Sequence, residues 1–200
     1  MRLHSLILSA CLFAFDGVAA AQTLDEAKQA LEKKEYEKAR VILEKLVMKN
    51  DAEAELRLAE MYASPIGIPQ NLQRGVALYE SASNRTHAEA KFVFANELIK
   101  GTLVAPDKDR AMGLMSTSAK MKYASAQYAM CVEMSTEGSK FYNAEEAYAW
   151  CEVAAGKKHR DAGDAGKRAK DTLKRIESAK GKAGADAAKA RAAQYAKSYY

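Results

Sequence analysis

Apolar and small residues recur along this chain at helical spacing, and the pattern itself recurs. From Ala52 the sequence reads AEAELRLAEMY, from Ala88 AEAKFVFANEL, and from Ala124 ASAQYAMCVEM, a gapless step of 36 residues. Ala54, Ala90 and Ala126 align, and Ala162 extends the series. Ala59, Ala95 and Cys131 align, as do Tyr62, Leu98 and Met134. Their offsets place them on one stripe of a helix. A second set follows in each copy: Gly75, Leu78, Tyr79 and Ala82, then Ala111, Leu114, Met115 and Ser118, then Ala147, Trp150, Cys151 and Ala154. These offsets also trace one helical face, so each unit is predicted as two helices. Small residues at Ala59, Ala95, Gly75, Ala111 and Ala147 let the paired backbones come close.

The connectors read SPIGIPQN, KGTLVAPD and TEGSKFYN. Asn71, Asp107 and Asn143 stand at the same step, where each second helix should start. Their side chains are suited to accept bonds from its free N–H groups. The three prolines, Pro65, Pro69 and Pro106, all fall in connectors. Upstream, residues 22–50 read as a helix pair with a shorter turn, an N-terminal cap. Downstream, Asp161 to Lys180 carries a helical stripe, GKAG at Gly181 to Gly184 breaks it, and Ala185 to Tyr200 forms a last Ala/Lys/Tyr helix. The organisation expected is therefore 1–21 leader, 22–50 cap, 51–160 three repeats (51–86, 87–122, 123–160) and 161–200 basic capping helices. An all-α solenoid is the fold class that helix pairs at this period predict.

The first residues do not share the pattern. MRLH is followed by the apolar run SLILSACLFAF and by Ala19-Ala20-Ala21. A basic start, a short apolar run and a small-residue end are the parts of a secretory signal peptide, with cleavage expected near Ala21. LSAC resembles the sequence at which bacterial lipoproteins are lipidated on cysteine, here Cys11. The apolar run continues past Cys11, which favours simple cleavage. A periplasmic or secreted chain without a transmembrane segment follows. Its two remaining cysteines, Cys131 and Cys151, are expected on opposite helices of one hairpin, at about one level. They form one bridge in an oxidising compartment, or sit there as two buried thiols.

Charge divides the chain. Residues 22–156 hold 17 basic and 20 acidic side chains, and residues 157–200 hold 13 basic and 5 acidic. The formal +5 thus comes from the last quarter. Such a block is a solvated helix surface or a contact for anionic envelope polymers and lipid headgroups. Nucleic acid is not an expected partner of an exported protein.

Catalytic and metal-binding patterns do not appear. His87 and His159 are far apart, and neither H-E-x-x-H, G-x-S-x-G nor C-x-x-C occurs. No catalytic residue, metal or cofactor is therefore expected.

The repeated residues resemble the Sel1-like repeats, relatives of tetratricopeptide repeats. In the first unit the likeness runs through Ala54, Leu58, Ala59, Tyr62, Gly67, Ile68, Asn71, Leu78, Tyr79 and Ala82. It continues through Ala90, Ala95, Gly101, Val104, Asp107, Ala111 and Ala119, and then Ala126, Asn143, Ala147, Trp150, Ala154, Ala155 and Gly156. The loop glycine of the pattern is Leu103 in the second unit, and Cys131 takes a small-residue position in the third. The resemblance implies a right-handed superhelix that binds other proteins, with first helices lining the concave surface. Arg57, Glu60, Phe92, Asn96 and Tyr128 are then the exposed candidates for partner contact, and Phe92 and Tyr128 equally suit packing. The function expected is an exported interaction scaffold in a bacterial envelope process. The alternatives are a hydrolase of the same fold and attachment to the envelope or membrane surface through 157–200.

Overall fold

Side chains that cap helix starts set the outline of the chain. In the computed structural model, which describes residues 23–200, nine helices and no strand occur among the described residues. The signal-peptide and Cys11 expectations lie outside them. Thr23 opens α1 (Leu24–Glu32) with a reciprocal pair of bonds to Glu26, and α2 is Tyr36–Val47. Three repeats of a helix pair follow: α3 (Ala52–Ala63) and α4 (Leu72–Asn84), α5 (Ala88–Lys100) and α6 (Lys108–Lys120), α7 (Ala124–Ser135) and α8 (Ala144–Ala155). Asn71, Asp107 and Asn143 each accept the backbone N–H three residues on, at the starts of α4, α6 and α8. Asp51 and His87 do the same for α3 and α5. Each such cap satisfies a donor that the helix cannot.

Successive helices pack on one another, and two apolar clusters run along the stack. Ala27, Ala39, Leu43, Ala54, Leu58 and Tyr62 belong to the N-terminal one. Leu56, Phe94, Met130, Trp150 and Ile176 are large members of the other. The small residues act as read from the sequence. A Cβ on Gly75 would lie 3.3 Å from the Ala59 carbonyl oxygen and from the Ala63 nitrogen, so α3 and α4 approach there with backbone against backbone. Within the last repeat, Cys131 of α7 and Cys151 of α8 are joined by a disulfide, with their Cα atoms 4.7 Å apart.

α9 (Ala162–Tyr199) departs from the even step. The break expected at Gly181–Gly184 is a kink at Gly181 alone, with φ 67° and ψ −170°, and helix continues on both sides. The arm before it follows α8 as the next first helix. The arm after it takes the place of a second helix, with no connector between. Its buried residues are Ala185, Ala188 and Ala192. They answer to Ala147, Trp150 and Ala154 at a step of 38, because removal of the loop and lengthening of the first arm do not cancel.

The first connector turns at Gly67, where φ is 92° and a Cβ would overlap the Tyr36 ring of α2. Gly67→Ala is expected to cost about 2 kcal/mol, from the left-handed backbone and the displaced ring together. In Tyr36→Ala the added cost of Gly67→Ala should fall to the backbone part, about 1 kcal/mol. Urea denaturation of the four proteins measures it. Equal costs in both backgrounds would show that the ring does not set this turn.

Candidate functional site

The first helices lie in a row. Lys28 of α1 pairs with Glu53 of α3 at 3.2 Å, and Arg57 of α3 with Glu89 of α5 at 2.9 Å. Phe92 of α5 meets Tyr123, the residue before α7, with ring centroids 5.3 Å apart. Tyr128 of α7 donates to Asp164 of α9 at 2.7 Å. Each contact joins one unit to the next across a face built of first helices alone. The structurally repeated positions (Ala54, Ala59, Tyr62) turn away from it into the core.

Arg57 is the centre of the charged part. Its guanidinium reaches Glu53 at 2.8 Å, Glu60 at 3.1 Å and Glu89 at 2.9 Å. Burial opposes its charge, but the three carboxylates outweigh that and raise its pKa. Glu53 and Glu60 share this cation yet move in opposite directions. Burial pushes both upward. Glu53 has Lys28 and His87 besides Arg57, and its pKa is lowered. Glu60 is bonded by Arg57 only and feels Glu89 and Glu53 nearby, so its pKa is raised. The acid pair is thus unequal: one carboxylate is over-supplied with donors and the other under-supplied.

The five residues proposed from sequence as exposed contacts are all only partly exposed. Arg57 and Glu60 are tied to each other. Phe92 is covered by the Tyr123 ring, and the Tyr128 hydroxyl is spent on Asp164. Asn96 stands at the position equivalent to Glu60 and has no side-chain bond among the described residues. What these side chains share is the face; what sequence misjudged is their freedom, because the next unit folds over Arg57, Phe92 and Tyr128. His87 and His159 are likewise not simple surface residues. They stand two repeat steps apart and make matching bonds. His87 meets Glu53 at 2.8 Å and caps α5, and His159 meets Ser125 at 3.3 Å while accepting from Asp161 N–H.

One row escaped the sequence reading altogether. Glu55, Lys91 and Gln127 are equivalent positions, and all three turn polar groups inward against residues of their own or the preceding unit. Glu55, 3% exposed, takes bonds from Ser81 and Arg85. Lys91 donates to the Ser83 carbonyl, and Gln127 to the equivalent Ala119 carbonyl at 3.1 Å. Gln127 also holds the Tyr199 carbonyl at 2.8 Å, which fixes the end of α9. The signal was there in the repeat alignment, where a polar residue sits at each copy inside an otherwise apolar flank.

The opposite face is a ladder of second helices. Arg74 meets Glu44 and Arg110 meets Glu80, both at 3.0 Å and one repeat apart. At the third position the charge inverts: Glu146 stands where the arginines did, and Arg191 and Tyr195 of α9 supply its donors. Glu137 and Glu145 take Arg175 and Lys180 of α9 in the same way. Part of the C-terminal basic excess is therefore used in docking α9 on the body. No group of three His, Cys, Asp or Glu side chains among the described residues is placed to hold a metal, and no helix there is long and apolar enough to cross a membrane.

Comparison with known proteins agrees with this geometry. A family model described as Sel1 repeat matches residues 52–87, 95–123 and 124–159. No curated protein matches the chain. Among solved structures, c5321, a protective antigen of uropathogenic Escherichia coli strains with an SLR fold, superposes at a TM-score of 0.67 with 18% identity, over 88% of this chain and 40% of that one. A Sel1 repeat protein from Oxalobacter formigenes superposes at 0.63 with 20% identity, over 80% of this chain and 63% of that one. The chain thus spans less than two thirds of either neighbour, and the likeness is one of fold.

Proposed function

The chain belongs to the Sel1 repeat family, and on that premise we propose that it is an exported scaffold that holds a protein partner on its first-helix face in a bacterial envelope process, without catalysis of its own. The observation that carries this reading is the division of labour between positions. Repeated residues build the stack, while Arg57, Glu60 and Asn96 differ from their counterparts in the other units and share one face with Phe92 and Tyr128, an aromatic pair one repeat apart. Aromatic and charged side chains on a rigid frame are what a specific interface needs. Export is supported by the leader-like first residues and by the buried Cys131–Cys151 bridge, which suits an oxidising compartment.

Photo-crosslinking residues placed at Phe92 and Asn96 in the living cell are expected to give discrete protein adducts. The same residue at Lys45, exposed on α2, should not. Identical adducts at all three positions would count against a dedicated face. Mass spectrometry of the mature N-terminus tests the compartment: a chain beginning at Gln22 is expected, and a lipid on Cys11 would replace free export by membrane anchoring.

A further inference from the structure

Among the described residues of α9, Gly181 alone leaves helical geometry. Its φ of 67° with ψ of −170° lies in a region open essentially to glycine. Gly184 serves the same fold-back. A Cβ there would overlap the Lys180 Cβ and lie 3.5 Å from Ile176 Cγ2, so the two arms meet closely only because residue 184 has no side chain. The repeat pairs turn differently, through connectors at 64–71, 101–107 and 136–143. In α9 a single residue turns the chain. The flanks, ESAK before it and KAGADAAKA after it, are rich in alanine and lysine, which favour helix. The last arm is held at few points. Tyr195 and Tyr199 rest on Trp150, Arg191 meets Glu146 at 2.7 Å, and Gln127 holds the Tyr199 carbonyl at 2.8 Å. In each of these a residue after Gly181 meets a residue of α7 or α8. The same pairs therefore form when the arm belongs to another molecule.

We propose that α9 straightens at Gly181 and exchanges its last arm with a second copy of this chain, giving a dimer in which each Trp150 is covered by the other copy's arm. Straightening restores the helical hydrogen bonds that the kink interrupts and removes the glycine-only conformation. A continuous helix over the 38 residues of α9 is about 57 Å long. The extended arm then stands clear of its own α8, and the uncovered Trp150 flank takes the arm of the second copy. Every docking contact is kept. The two states differ only in the hinge and in the cost of association, which is the usual setting for domain swapping. At low concentration the monomer is favoured, because its own arm is tethered beside its site. The dimer carries two first-helix faces, whatever those faces bind.

The test refolds the purified protein from urea, disulfide intact, over a range of protein concentrations and reads its mass by size-exclusion chromatography with light scattering. Monomer is expected at low concentration, with a dimer fraction that grows as concentration rises. Gly181→Ala removes the glycine-only turn and favours helix at both hinges, so the concentration for half dimer should fall about a hundred-fold, roughly ten-fold per hinge. Gly184→Ala should act in the same direction, through its clash with Lys180. A Gly/Ser connector as long as 64–71, inserted after Gly181, should keep the chain monomeric. A photo-crosslinking residue at Tyr195 distinguishes exchange from surface contact. In dimers formed from mixed isotope-labelled and unlabelled chains it should join the arm of one chain to α8 of the other. In the monomer it should join the two within one chain. A parent that stays monomeric at every concentration overturns the proposal, as does a Gly181→Ala variant that is helical by circular dichroism and dimerises no more than the parent. A dimer whose Tyr195 crosslinks stay within one chain, or one that persists unchanged with the inserted connector, overturns it too. If Gly181→Ala does not fold, Gly184→Ala and the connector variant decide by the same readings.

Discussion

Trp150→Ala should destabilise the C-terminal third of the chain by about 4 kcal/mol, the usual range for removing a buried tryptophan. Trp150 is 2% exposed. Tyr195 meets it edge-on at 4.9 Å and Tyr199 stacks at 5.4 Å, so both aromatic residues of the last arm of α9 rest on this one side chain. The rest of that arm buries alanines, which bring little area. Polar ties are present as well: Arg191 and Tyr195 to Glu146, and Gln127 to the Tyr199 carbonyl. The first two are half-exposed and add little. In a solenoid each unit depends on its neighbours, so the loss should be local. Amide exchange is expected to rise throughout 182–199 and to stay unchanged in α1 and α2, and protease should cut near Gly181. Trp150→Phe, which retains a ring, should cost about half as much. If 182–199 keeps its protection in Trp150→Ala, the aromatic contact is not what holds the cap.

Much of the fold could be read from the sequence because the repeat supplies its own alignment. Three copies at one step expose the stripe, the caps at Asn71, Asp107 and Asn143, and the helix pairing at once. The readings that failed did so where a residue's environment depends on the neighbouring unit rather than its own. Arg57 and Tyr128 look like surface residues within α3 and α7, and become half-buried only when α5 and α9 arrive with Glu89 and Asp164. Glu55 fails differently, within its own unit: it looks like a solvated charge on α3 until Ser81 and Arg85 fold against it. The missing loop glycine of the second unit has a local answer: the left-handed turn is made two residues before Leu103, by Gly101 at φ 69°. The end of the array has a different cause. A fixed step cannot find a pair whose connector has been deleted, and the arm after Gly181 comes into line only when the step is allowed to lengthen by two.

The candidate site was legible as a set of positions and illegible as chemistry. Arg57, Glu60, Phe92, Asn96 and Tyr128 were found because they lie off the Ala54, Ala59, Tyr62 stripe of the first helices, although variation alone does not mark a free position, as buried Leu56 and Gln127 show. Their electrostatics depend in part on cross-unit pairs, Arg57 with Glu89 and Tyr128 with Asp164, that no single copy contains.

Removing the disulfide is the second large effect, and it should be hidden until the chain is unfolded. Cys131 and Cys151 are separated by 20 residues and both are fully buried. Reductant added to the native protein should therefore leave the bridge intact, and free-thiol labelling without denaturant should find none. A chain unfolded in reductant and refolded, or the Cys131→Ala/Cys151→Ala double variant, loses the loop constraint. For a loop of about 20 residues that is about 3 kcal/mol in the chain-entropy account, or a fall of roughly 10 °C in Tm for a chain of this size. Because the bridge ties α7 to α8 alone, the loss should appear first as amide exchange in that hairpin. It should then spread to α9, which rests on α8, before it reaches α3 and α4. Uniform loss of protection along the chain would mean that the stack unfolds as one unit and that the bridge acts on the whole. Rapid labelling of the native protein by a thiol reagent after mild reduction would show that α7 and α8 open far more readily than their burial implies.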